Sequence, residues 1–512
     1  MSASEKQKRL PSYAVLDEDA AQGYEELTQQ GVYNLLPTEL FWQARQPFLY
    51  KHGYQLRPRY SPNWEPSWKG TNLDPTFCED SIMLVNYQVI DARQLKDNEL
   101  VAIKQFRNDT QEARIAQFLS SITDPLNHCV TIHEILSDPF DPQLSLMVMP
   151  YLRPCRDPDF ATIGDVVDFV NQTLEGLVFM HRHNVAHRDI AVENIMMDAA
   201  ALYPGGHHPV RRHYTPDGLY EVTPLPRGDR SVTYLYVDFG LSSWFPGDAS
   251  PYVVGRVGRD KQAPELSSTV PYNAFKLDIF TLGNLYSQEF EQRYNSMHFL
   301  VPLIDNMRQP RPESRPTAAQ LLAQWEEIKA DLKESLFRWR LGPKTEPAVE
   351  RVLNDTVAIA REGIYHLRKF IHGSCRSTIL VDVTLVLSCP ANIAVNGILL
   401  DNACIFQALR KLDVSRAPRP PRPTASLFKL NTAQDRLQDY VLLGLSRIKA
   451  ILRHGRFALQ LAATRRVLLS IQHTAHRSHT SDDTRNMHTP MFSPIHVASI
   501  AIYPRHIMAG TE

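Results

Sequence analysis

At Leu152 the hydrophobic pattern of this 512-residue chain changes period, and that change constrains the fold more than any other feature. Before it lie four short β-rich runs, "NYQVIDA", "ELVAIKQF", "VTIHEIL" and "LSLMVMPYL", the first two joined by the turn residues "KDN". One amphipathic stretch interrupts them: "DTQEARIAQFLSSI" carries Ala113, Ile115, Ala116 and Leu119 at helical spacing. After Leu152 helices dominate, beginning with "VVDFVNQTLEGLVFMHRH" and its apolar Val166, Val167, Phe169, Val170, Leu174, Leu177 and Val178. A small mostly-β part followed by a larger mostly-α part predicts an α+β chain of two lobes with a cleft between them.

The flanks read differently. Residues 1–75 are polar and rich in aromatics, and in "GYQLRPRYSPNWEPSW" Pro58, Pro62 and Pro66 exclude regular helix. An extended N-terminal strap is expected there, packed by Tyr54, Tyr60, Trp64 and Trp68. The lobes are drawn at 76–152 and 153–340. Within the second, residues 199–232 are rich in Pro, Gly, His and Arg and read as a surface insertion. His207, His208 and His213 are expected to be solvated, because no Cys or acidic partner stands at ligand spacing. Residues 345–415 remain an unassigned C-terminal extension. Within them, 378–400 approaches membrane length but contains Asp382. A charge near a bilayer centre costs about 2.5–3.5 kcal/mol, so a buried element is expected instead. "RAPRPPRPT", 416–424, reads as a semi-rigid Pro/Arg linker. Residues 425–512 read as a basic helical tail with a disordered end, its charge suited to an acidic partner.

Composition removes several classes. Apolar residues make up 43%, enough for a core, and a net charge of −1 gives no field for nucleic acid. The six cysteines form no CxxC pair, which points to a reducing compartment. "MSASEKQKRL" lacks the apolar core of a secretory signal. The expectation is an intracellular protein, cytoplasmic or nuclear and not secreted, with no nucleic-acid or membrane partner.

Four short motifs fall on this frame in order. "VAIK" ends in Lys104 on a predicted strand; "HRD" supplies Asp189, with Asn194 five residues on; "VDFG" supplies Asp238; "APE" closes at Glu265. Phosphoryl transfer needs nucleotide phosphates held, a metal placed, the attacking hydroxyl oriented and developing charge neutralised. A strand lysine, a base-positioned aspartate and two oxygen ligands are the residue types for those tasks. Each tripeptide is a weak signal alone, but four in order across a β-to-α switch are a strong one.

Residues 76 to 335 resemble the eukaryotic protein kinase family. "LEGLVFMHRHNVAHRD", "LDIFTLG" and "RPESRPTAAQLL" are similar to further segments of it, while "GRDKQAPE", "DFGLSSWFP" and "LGNLYSQEF" look most like a fungal branch. The resemblance implies the two-lobed protein-kinase fold, a protein substrate, and ATP and Mg²⁺ as cofactors. It implies catalytic roles for Asp189, Lys104 and Glu112, and metal binding by Asn194 and Asp238. Val89, Ala102, Lys104, Met149, Tyr151, Leu152 and Met196 would contact the nucleotide. Asp278 would anchor the catalytic-loop backbone, and Arg315 would pair with Glu265.

The sequence also departs from the family. Counted back from Lys104 without a gap, the three positions of the Gly-rich loop fall on Ile82, Leu84 and Tyr87, and no glycine occurs between Gly70 and Lys104. A Cβ at such positions obstructs close approach of the backbone to phosphates. Glu112 lies only eight residues after Lys104, and Asp109-x-x-Glu112 also fits a helix capping box. Ala191 stands where the family's Ser/Thr kinases carry a lysine that contacts the γ-phosphate, and Glu193 where Tyr kinases carry an arginine. Arg256, Arg259 and Lys261 are candidate replacements. Gly258 stands where a threonine is usual, and Ser242, Ser243, Ser250 and Tyr252 are candidate phosphosites that Arg188 would pair with. The expected function is transfer of the ATP γ-phosphate to protein Ser/Thr; the alternative is a pseudokinase scaffold.

Overall fold

The computed structural model describes residues 14–374. The chain divides at Thr378 into two units, and the described residues all lie in the first. The linker 416–424, the tail 425–512 and the apolar segment 378–400 lie outside the described residues, as does the rest of the extension beyond Ser374.

The N-terminal strap expected over residues 1–75 is replaced, where described, by two helices, α1 (Glu18–Gln29) and α2 (Pro37–Lys51), followed by a short strand, β1 (Tyr54–Gln55). Asp17 caps α1 by accepting the Ala20 N–H at 2.9 Å, and Pro37 opens α2. The apolar pattern conceals α2 because its buried face includes two charged residues, Glu39 and Arg45. Their partners are remote in sequence: Glu39 Oε1 sits 2.8 Å from Arg59 Nε, and Arg45 pairs with Asp138. Beyond β1 the proline-rich stretch is irregular, as its composition requires, with Tyr60 and Trp68 buried.

Four further strands complete the small lobe: β2 (Val89–Gln94), β3 (Leu100–Arg107), β4 (Glu134–Ser137) and β5 (Leu144–Pro150). They form an antiparallel sheet in the order β1-β2-β3-β5-β4. Both faces are covered, which explains the nearly continuous apolar run of β3. Val101 and Ile103 face α2 and the aromatic stretch, packed with Trp42, Leu49 and Tyr60. Ala102 and Phe106 face the other way, with Ile115, Ala116 and Leu119 of helix α3 (Glu112–Ser120).

The large lobe is built on α4 (Ile163–Arg182), whose Thr162 and Asp165 form a capping box. Around it run β6 (Arg153–Pro154), β7 (Val185–Ala186), β8 (Ile195–Asp198), β9 (Thr233–Tyr236), β10 (Ser243–Trp244), β11 (Tyr252–Val253) and β12 (Tyr272–Asn273). Four helices follow, α5 (Ala274–Tyr286), α6 (Val301–Met307), α7 (Ala318–Ala330) and the single turn α8 (Glu334–Phe337); α9 (Ala348–Ser374) occupies the start of the unassigned extension. β6, β8 and β9 form one small sheet, β10 pairs with β7, and β11 pairs with β12. Among the described residues no helix is long and apolar enough to cross a membrane.

The insertion 199–232 is a set of turns that folds back on the small lobe. His208 is 1% exposed, not solvated: its Nδ1 accepts the Val210 and Arg211 N–H groups at 3.1 and 2.9 Å, and its Nε2 lies 3.2 Å from Glu79. Burial lowers the pKa of His207 to about 4, so it is neutral at pH 7. Of the three histidines, only His213 meets the expectation of exposure.

Candidate active site

β7 leads directly into the loop segment 187–194. Asp278, fully buried on α5, fixes that loop: it accepts the N–H groups of His187 at 2.8 Å and Arg188 at 2.7 Å, and lies 3.1 Å from His181 Nε2. Arg188 is thereby held at φ +65°, a conformation that is costly without such support. The turn presents Asp189, whose Oδ2 accepts from Asn194 Nδ2 at 2.9 Å. Asn194 Nδ2 also donates to the Asp189 backbone carbonyl at 2.8 Å.

The opposite wall comes from β3 and α3. Lys104 Nζ bonds Glu112 and stands 2.8 Å from Asp238 Oδ1. Glu112 is the first residue of α3, and the cap position is Gln111; Asp109 instead pairs with Arg107. The capping-box alternative is therefore not what the chain adopts. Burial alone would lower the pKa of Lys104, but Glu112 and Asp238 outweigh it and hold the pKa above the ordinary lysine value. Burial would raise Asp238, yet the charge and hydrogen bond of Lys104 keep its carboxyl below the usual range.

The expected nucleotide contacts are brought together. Val89 lies opposite Lys104 across β2–β3, and Ala102 opposite Met149 across β3–β5. Leu152 is buried beside them, and Met196 on β8 packs against the same cluster. Tyr151 turns aside: its hydroxyl donates to Pro209 O at 2.6 Å, tying the connection between the lobes to the insertion.

The segment expected to form the Gly-rich loop differs from its sequence placement. Ile82, Leu84 and Tyr87 are not in a hairpin; the strand that pairs with β2 is β1, Tyr54 opposite Gln94, and residues 56–88 form a long irregular connection. An ungapped count back from Lys104 misses this, because no short-range signal marks where β1 lies.

The segment from Asp238 to Glu265 ends in a buried bidentate pair. Arg315 Nη1 and Nη2 donate to Glu265 at 2.5 and 2.9 Å, and Arg315 is 1% exposed. Within the segment, Ser242 is buried and donates to His187 O, which removes it as an accessible phosphosite. Ser243 accepts from Arg188 Nη1 at 2.9 Å, while Ser250 and Tyr252 are exposed.

Residues 87–294 match the family model described as protein kinase domain, and this part of the chain is a protein kinase domain. The chain is also similar to a protein named a probable cell division protein kinase from Encephalitozoon cuniculi (strain GB-M1). They are 26% identical over 200 residues, covering 38% of this chain and 63% of that protein, under two thirds of the relative's length.

Proposed function

We propose that this chain is an active protein kinase that transfers the γ-phosphoryl group of ATP to Ser/Thr hydroxyls of a protein substrate. The observation that carries this reading is the joining of Lys104 to both Glu112 and Asp238, while Asp189 and Asn194 stand bonded on the facing loop. A kinase centre needs that lysine–glutamate pair and that metal-side aspartate in place together. Val89, Ala102, Met149, Leu152 and Met196 wall the adenine. Tyr151 N–H is spent on Leu100 O at 3.2 Å and Pro150 has none, so the adenine's N–H donor falls to Leu152. Asp189 accepts the substrate hydroxyl's hydrogen bond.

The donor set suits Mg²⁺, a hard cation that takes oxygen ligands and leaves room for phosphate. Asn194 spends its Nδ2 on Asp189, which leaves its side-chain carbonyl oxygen to face a metal, and Asp238, which gives Oδ1 to Lys104 and accepts the Gly240 N–H, keeps lone pairs for one. When bound, the ion neutralises charge on the phosphate oxygens. The scaffold alternative draws on Ala191 and the absent Gly-rich hairpin.

Incubation with labelled ATP·Mg²⁺ and a peptide library, followed by phosphoamino-acid analysis, tests the reading. The wild type is expected to label Ser/Thr, and Asp189→Asn to label nothing while keeping the wild-type melting temperature. Equal labelling by that variant removes Asp189 from the mechanism. No labelling by the wild type favours the scaffold.

A further inference from the structure

A transferring phosphoryl group needs cationic or N–H donors fixed in place before reaction. The loop from Asp189 to Asn194 contains no cation and adds the carboxylate of Glu193. Lys104 is committed to Glu112 and Asp238. Among the described residues, one other cation bonds the carboxylates of this centre. Arg259 Nη1 stands 2.8 Å from Asp189 Oδ2, and the Arg259 backbone N–H donates to Asp189 Oδ1 at 2.5 Å. The remaining cations of that segment turn elsewhere: Arg256 Nη1 donates to Leu266 O at 3.3 Å and Lys261 Nζ to Arg256 O at 2.5 Å.

Neighbouring residues hold Arg259 in this position. Gly258 has φ +89°, and a Cβ there would sit 2.8 Å from Arg188 O and 3.3 Å from Asp189 Oδ1. Glycine is therefore what lets the backbone pass close enough to reach Asp189. On the other side, Asp260 Oδ2 accepts from the buried Asn284 Nδ2 at 2.7 Å. The Arg259 side chain is 48% exposed while that of Asp189 is 6% exposed, so the guanidinium runs from the buried carboxylate toward open solvent. Its Nε and Nη2 make no hydrogen bond among the described residues, and a planar five-donor group can bind a carboxylate and a phosphate at once.

We infer that Arg259 is a catalytic residue that holds the γ-phosphoryl group during transfer, the cation that Ala191 cannot supply. This rests on the kinase reading above. In the step, the substrate oxygen bonds to the γ-phosphorus and the β–γ bridging P–O bond breaks, its electron pair leaving with ADP. The hydroxyl proton passes to Asp189, and Arg259 stays protonated throughout. Asp189 has room for the hydroxyl: a carboxylate offers about four acceptor sites, and Arg259 N, Arg259 Nη1 and Asn194 Nδ2 take three of them.

Only ATP carries the γ-phosphate, so the test compares ATP·Mg²⁺ with ADP·Mg²⁺ affinity by titration, alongside transfer rate. The wild type is expected to prefer ATP. Arg259→Ala should keep the ADP affinity, lose the preference for ATP and transfer about 10²–10³-fold more slowly. Arg259→Lys should retain both properties, and Ala191→Lys added to Arg259→Ala should restore them. If Arg259→Ala does not melt as the wild type does, Arg259→Gln carries the same comparison. An unchanged ATP-to-ADP affinity ratio in the neutral variant overturns the inference. So does faster transfer in that variant, which would make Arg259 a plug on Asp189. A wild type that binds neither nucleotide refutes the kinase reading instead.

Discussion

Lys104 is held by two carboxylates, so its removal has a sharper effect than loss of one charge. In Lys104→Met, Glu112 and Asp238 lose their shared partner in a largely buried site. ATP·Mg²⁺ should then fail to raise the melting temperature at concentrations that stabilise the wild type. The lowered pKa of Asp238 gives a pH dependence of definite sign. The folded state binds that proton less readily than the unfolded chain, so Asp238 adds stability above the ordinary aspartate value of about 4. That stability is lost as the pH falls through the lower folded value. Melting curves from pH 7 down to 2 should therefore fall less steeply for Asp238→Asn than for the wild type. Arg315→Ala leaves Glu265 unpaired at a buried site, and denaturant unfolding should show a loss of about 3–5 kcal/mol. The pair Arg315–Glu265 was legible in the sequence because each motif names its partner, whereas Lys104–Glu112 was legible only as one of two readings of Glu112, the other being a helix cap. Arg259 was legible only as one of three cations, since its selection depends on the positive φ of Gly258 and the anchor at Asn284.

At the scale of elements, the least legible part was the N-terminal segment. Its helix α2 buries Glu39 and Arg45, and the partners that make this possible, Arg59 and Asp138, lie far along the chain. Apolar periodicity cannot register a helix whose packing face includes ion pairs. The strands β3 and β5 were legible because covered sheets read as apolar runs, and β2 because the turn residues before β3 mark its end. The boundary drawn before residue 76 would cut through this structure: a chain starting there loses β1 and uncovers Ile90, Val101, Ile103, Leu146 and Val148. Such a truncation should express as aggregate rather than as soluble protein. The insertion is bound to this segment as well, through Glu79 with Arg57 and His208, and Arg211 with Thr76 O. His208→Ala should raise hydrogen exchange at Val210 and Arg211, whose N–H groups it accepts.

For the molecule as a whole, the change of pattern at Leu152 correctly gave two lobes and their order. What escaped the sequence was how the small lobe closes its own sheet, because strand pairing over a long irregular connection leaves no local trace. Nucleotide binding should be visible globally: at a hundred times its Kd, ATP·Mg²⁺ adds about 2.7 kcal/mol to stability, read as a shift in melting temperature. The pairing of Tyr54 with Gln94 also bears on biosynthesis. A tight hairpin closes in about 1–10 μs. Here β1 waits for a partner about forty residues behind it, or about 2–8 s at 5–20 residues per second. Throughout that interval Trp42, Leu49, Tyr54 and Tyr60 have no sheet to cover them. The nascent chain thus offers a timed apolar target to chaperones before Lys104, Asp189 or Asp238 has been made.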